Sequence, residues 1–130
     1  MITATAPVEQ DKRIASHTLQ CMEIWGGNRA IESGVSVPGI DAWVFSEPHE
    51  GQSAGGDIHY VSTCGHGHVS RFFVADVSGH GEHVGDLAVS LRKLMRRNLN
   101  KLNQTRFVRA LNKGFEALAA DGRFATALTT

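Results

Sequence analysis

The stretch Gly65-His66-Gly67-His68 constrains this chain more than any other. It separates IHYVSTC (58–64) from VSRFFVAD (69–76), and both flanks are rich in β-branched and aromatic residues. Glycine reaches the positive-φ backbone that tight turns need, so the pattern predicts a β-hairpin turning at 65–68. That turn sets a register in which Cys64 faces Val69, Tyr60 faces Phe73 and Asp57 faces Asp76. The two aspartates then lie across the ladder, on one face, at the open end of the hairpin. Directly opposed side chains are about 5 Å apart at Cβ, where like charges destabilise the pair. Either one carboxyl keeps a proton or a cation sits between the two. A plainer explanation stands beside these, because aspartate also ends strands and caps turns.

The faces of the hairpin carry the reasoning further. Ile58, Tyr60, Val69, Phe73 and Ala75 share one face, while Val61, Phe72 and Val74 lie behind the aspartates on the other. Both faces are largely apolar near the acidic end, so cover on both sides is expected, and two unpaired carboxylates buried there would be costly. Oxygen-only ligands suit a hard ion, Mg²⁺ or Mn²⁺, better than zinc. Gly55, Gly56 and Gly79 would let the backbone approach such a site where a Cβ would collide.

Around the hairpin the chain reads as an α+β domain. IDAWVFSEP (40–48) predicts a strand ended by Pro48, and 49–56 a loop. Val84, Leu87, Ala88, Leu91, Leu94, Met95 and Leu99 fall at helical spacing, one core-facing stripe. A second helix is predicted with Thr105 as its N-cap, running through Phe107, Leu111 and Phe115 to an end near Asp121-Gly122. FATALTT (124–130) predicts a further strand. Upstream, residues 1–13 read as a loose lead-in and 14–25 fit helix or strand. Trp25-Gly26-Gly27-Asn28 reads as a break, and GVSVPG (34–39) as a linker. The expected organisation is a lead-in and linker over 1–36 and a domain over 37–130, with helices packed on a mainly antiparallel sheet.

Composition narrows the function classes. Lys plus Arg and Asp plus Glu each number 13 among 130 residues. That balance argues against a nucleic-acid or anionic-membrane partner. The opening MITATAPVEQDKR lacks a signal-peptide core, and no run approaches the ~20 apolar residues of a membrane span. A cytoplasmic protein with reduced Cys21 and Cys64 is expected.

SAGGD (53–57), VADVSGHG (74–81) and, after two helices, FATAL (124–128) together resemble the metal-dependent serine/threonine protein phosphatases, the PPM family, and within it the bacterial SpoIIE/RsbU-like branch. The resemblance runs from about Val37 to Thr130. It implies an α/β/β/α sandwich with a two-metal centre of Mn²⁺ or Mg²⁺, present here as an incomplete N-terminal portion. Asp76 matches the aspartate that bridges both ions, Asp57 the carboxylate that holds one of them, and the Val77 backbone carbonyl a further ligand. A metal-activated water would attack phosphorus directly, in a phosphoserine or phosphothreonine protein, in this branch often an anti-sigma-factor antagonist, in stress or sigma-factor signalling. His80, between glycines beside Asp76, is a candidate phosphate contact or simply a helix-start residue.

The departures from the family matter too. The aspartates of its C-terminal motifs have no counterpart before Thr130, and Asp86 and Asp121 stand in the wrong contexts to replace them. The 130-residue chain alone is therefore expected to be inactive, with an apolar edge at FATALTT left uncovered. A truncated, non-catalytic, partner-binding module is the alternative. His59 is expected to face the site with no role in the family. Cys64, His66, His68, His80 and His83 could suggest a soft-metal site, but the hairpin holds the first three at the end far from His80. Arg92, Lys93, Arg96 and Arg97 form a basic cluster, either a solvated helix face or a dock for an acidic phosphoprotein.

Overall fold

A computed structural model of the chain describes residues 15–49, 51–79, 82–119 and 122–130, the side chains of residues 82 and 83 excepted. Its elements are β1 (Ser16–Thr18), β2 (Ile24–Gly27), β3 (Ile31–Val37), β4 (Ile40–Ser46), β5 (Asp57–Cys64), β6 (Val69–Val77), α1 (Glu82–Asn98), α2 (Gln104–Leu118) and β7 (Ala125–Thr129). The class is α+β, as expected. The strands divide into a three-stranded sheet, β1-β3-β4, and a four-stranded sheet, β2-β5-β6-β7. The helices cover one face of the larger sheet and the smaller sheet covers part of the other. The layers follow the order helix, sheet, sheet.

The β5–β6 hairpin is the centre of the larger sheet and has the expected register, with Asp57 opposite Asp76, Tyr60 opposite Phe73 and Cys64 opposite Val69. Its turn is made possible by positive φ at Gly65, His66 and Gly67. Ile58, Tyr60, Phe73 and Ala75 point to the helix side. There they bury themselves against the α1 stripe of Val84, Leu87, Ala88, Leu91, Leu94, Met95 and Leu99, together with Phe107 and Leu111 of α2. On the other side, Val61 and Phe72 meet Leu19, Val35, Val37 and Ala42 of the smaller sheet and its entry segment. Apolar contact on both faces accounts for the nearly unbroken burial of β5 beyond its first residue.

Several expectations are corrected. GVSVPG (34–39) is no linker: β3 ends at Val37, and Pro38 and Gly39 turn it into β4, with Gly39 at φ +81°. β3 pairs with β4 along its whole length, Val37 opposite Ile40 through Ile31 opposite Ser46. Trp25-Gly26-Gly27 is not a break either, because Ile24–Gly27 pairs antiparallel with β5. Of the 14–25 segment, left open between helix and strand, the described part holds β1 and the start of β2, the strand alternative. α2 takes its N-cap from Asn103, whose Oδ1 accepts the Arg106 N–H at 3.0 Å, which leaves Thr105 inside the first turn. Asparagine is among the strongest N-cap residues, and extended backbone at Asn103 presents its side chain to the free N–H groups. α2 stops at Leu118, short of Asp121, which lies outside the described residues, as do residues 1–14.

Candidate functional site

β5 and β6 bring Asp57 and Asp76 to one edge of the sandwich, and the segment that leads into β5 completes a cleft around them. The cleft measures about 510 Å³ and its lining includes Gly56, Asp57, Asp76 and Val77. Both aspartates are exposed. This corrects the expectation of cover on both faces, for the smaller sheet stops short of the acidic end: Val74, beside Asp76 on the same face, is 57% exposed. Among the described residues no hydrogen-bond donor or basic side chain is paired with either carboxylate. Two like charges therefore face each other across one ladder position with solvent as their screen.

Local backbone geometry is built around this pair. The Val77 N–H donates to the Gly56 carbonyl at 2.9 Å, extending the ladder one position past the aspartates. A Cβ on Gly56 would lie 2.8 Å from the Val77 carbonyl oxygen and 3.4 Å from Asp76 Oδ1. The first distance is shorter than real contacts allow, so any larger residue would push aside the Val77 carbonyl oxygen and crowd Asp76. Asn28, just past β2, clamps the neighbouring residue: its backbone carbonyl accepts the Gly55 N–H at 2.9 Å and its Nδ2 donates to the Gly55 carbonyl at 3.0 Å. On the far side, Ser78 N–H donates to the Phe124 carbonyl at 2.9 Å and Phe124 N–H to Ser78 Oγ at 3.0 Å, tying the exit of β6 to the entry of β7.

The structure thus brings together Asp57, Asp76 and Val77. His80 lies outside the described residues, as does Asp121. Asp86 is an exposed residue of α1 and does not line the cleft. Cys64 sits at the opposite end of the hairpin, buried, with its thiol donating to the Leu99 carbonyl at 3.1 Å. Cys64 and Cys21 are both unpaired. Among the described residues no three of His, Cys, Asp and Glu gather closely enough to hold a metal ion. His59 corrects an expectation, for it does not line this cleft. It lies in a second hollow beneath Gly26, its ring 5.7 Å from that of Trp25. Burial pushes its pKa down.

Asn28, Glu47, His49 and Gln52 also line the cleft, and sequence reasoning did not find them. Asn28, just past β2, is separated from Gly55 by 26 intervening positions, with no local pattern to join them. Glu47 and His49 flank Pro48 in a stretch legible only as a strand end and loop. The donors that meet at the hairpin end, two carboxylates and a carbonyl, are all oxygen. They fit a hard divalent cation and not a thiolate-seeking or imidazole-seeking one. Comparison with protein-family models, curated proteins and solved structures found no match.

Proposed function

We propose that this chain is the N-terminal part of a PPM-type, SpoIIE/RsbU-like protein serine/threonine phosphatase domain, with the α/β/β/α sandwich of that family. Its site would use Mn²⁺ or Mg²⁺ held at Asp57, Asp76 and the Val77 carbonyl, in a cytoplasmic setting. One observation carries the assignment: Asp57 and Asp76 are direct cross-strand partners at a cleft whose glycine leaves room for nothing larger. Residues 53–57 of the SAGGD motif and residues 74–79 of VADVSGHG build this corner, and the helix-sheet-sheet layering agrees with the first three layers of such a sandwich.

A bound divalent ion would polarise the phosphoryl group and acidify a water for attack on phosphorus. The protein's own part is positional. Asp57 and Asp76 supply negative charge that draws the cation and offsets its charge. Gly56 keeps the backbone low enough for the Val77 oxygen to stay accessible, and Asn28 fixes the approach of Gly55. Exposure of the cleft suits a phosphorylated side chain on a protein, such as an anti-sigma-factor antagonist, which must enter from solvent.

A second reading, a non-catalytic partner-binding module, is favoured by one observation: the described residues gather two carboxylates and not three. Six-coordinate Mn²⁺ would then depend mostly on water, and the 130-residue chain should bind one ion weakly and turn over little substrate. Calorimetric titration with Mn²⁺ tests the assignment directly. Weak binding is expected in the wild-type chain, loss in Asp76→Asn and partial loss in Asp57→Asn. Unchanged binding in Asp76→Asn would overturn the metal site. Hydrolysis of p-nitrophenyl phosphate by the same chain, abolished in Asp76→Asn, would exclude the module reading.

A further inference from the structure

The hollow that takes in His59 is a second site, unrelated to the acidic cleft in its chemistry. It measures about 470 Å³, within the range of small-molecule pockets, and opens between β2, the turn into β3 and α1. It exists because the last two residues of β2, Gly26 and Gly27, carry no side chains where they pair with Tyr60 and His59 of β5. Gly26 adopts φ +118°, and a Cβ there would stand 2.2 Å from the His59 carbonyl oxygen and 2.9 Å from its ring. Trp25, Arg29 and Arg92 are among the residues that border the space above it.

The charges in this hollow are unequal in what they have free. Arg92 is steadied by one bond, Nη2 to the Ile24 carbonyl at 2.9 Å, and its other N–H groups have no partner among the described residues. Arg29 forms no ion pair among them. Glu23 also borders the hollow, but its carboxylate is engaged: Oε2 accepts the Gln20 N–H at 2.8 Å and Oε1 pairs with His17 Nε2 at 2.6 Å. His59 is 8% exposed and its Nε2 has no hydrogen-bond partner. A buried polar atom left unsatisfied costs about 1–3 kcal/mol, so this nitrogen calls for a partner, an ordered water or a bound group.

We infer that this hollow binds a small anion with a planar ring, its acid group held by Arg29 and Arg92 through charge-assisted hydrogen bonds and its ring against Trp25. The site requires no metal and is independent of the phosphatase assignment, so either can fail alone. Phenylphosphonate is a suitable probe, used in EDTA so that Asp57 and Asp76 take no part. The chain has two tryptophans, and their indole N–H resonances report different places. Trp25 borders the hollow, while Trp43, 68% exposed on the smaller sheet, does not. Saturable movement of the Trp25 signal with Trp43 unmoved is expected. Binding should weaken at least tenfold in Arg92→Gln and in Arg29→Gln, the second being an exposed position with no described partner to lose. Methylphosphonate, which lacks the ring, and benzyl alcohol, which lacks the charge, should each bind at least tenfold more weakly. No saturable movement of Trp25, equal binding by both arginine variants, or equal binding of either probe lacking a feature would overturn the proposal.

Discussion

His59 shows how one residue can carry a conformational cost that has a pH signature. Burial holds its imidazole below the ordinary histidine value, whereas the unfolded chain protonates near pH 6.5, roughly the free value. Above that pH both states are neutral and the group contributes no pH dependence. As pH falls below it, the unfolded state binds more protons than the folded one, and stability declines until folded His59 itself takes a proton. The urea midpoint is therefore expected to drop between pH about 7.5 and about 5.5, and to drop less in His59→Phe. Equal slopes in the two proteins would remove His59 as the cause. Glu23 works in a lower window: the Gln20 N–H holds its carboxyl below the usual value, assisted by His17 and against a smaller opposing effect of burial. Its contribution is present above the unfolded carboxylate range and fades as pH falls further, below the range used for His59.

At the scale of elements, Arg71 joins β6 to the connection between the helices. It is 1% exposed and has no carboxylate partner among the described residues. Its guanidinium is satisfied instead by carbonyl and amide oxygens: Nη1 donates to Leu99 at 3.4 Å, Nη2 to Lys101, and Nε to Gln104 Oε1 at 3.1 Å. The group lies 4.2 Å from the centre of the Phe107 ring. The carbonyls it meets follow the end of α1, where negative partial charge gathers, and that of Leu99 also accepts the Cys64 thiol. Lysine has neither the planar fork nor the reach to serve three acceptors. Arg71→Lys should cost about 2–4 kcal/mol in urea unfolding, as buried acceptors lose their donors. A loss below about 0.5 kcal/mol, the scale of a neutral surface change, would show that these bonds are replaceable. The same scale revises the basic cluster. Arg92 turns to the Ile24 carbonyl and the second hollow, which leaves Lys93, Arg96 and Arg97 as the exposed face of α1. Arg96 and Arg97 sit in its last turn, where positive charge complements the helix dipole.

For the whole molecule, the layers are unequal in width. The three-stranded sheet shelters Val61 and Phe72 but leaves the β6–β7 side open, with Val74 57% and Leu128 73% exposed. Its own outer face shows Trp43 and Phe45, 68% and 73% exposed. β4 and β7 are also the last strands of their sheets, with backbone groups free to pair with another chain. Apolar surface beside an open edge favours association. Sedimentation velocity on the 130-residue chain should show mass rising with concentration, and Leu128→Lys should reduce that trend by placing charge on the open face. A concentration-independent monomer in both proteins would mean that these surfaces are too dispersed to drive contact. No helix among the described residues is long and apolar enough to cross a membrane.

What was legible in the sequence was short-range. The 65–68 turn and the flanking β-rich runs set the Asp57–Asp76 register, because a hairpin's pairing follows from its own turn. The α1 stripe was legible because helical periodicity records which face is buried. Both describe residues whose partners are near in the chain or on the same helix. Tertiary structure decided the rest. GVSVPG reads as a linker by composition, yet its residues gain a full ladder from β4 and a core from Val61, and those contacts outweigh weak local preference. Gly26 and Gly27 read as a break and became a strand because β5 supplies their partners. His59 was expected beside Asp57, since alternate residues of a strand share a face. Strand alternation tells the face but not its cover: at Asp57 that face is open solvent, and two residues on it lies under Gly26 and against Trp25.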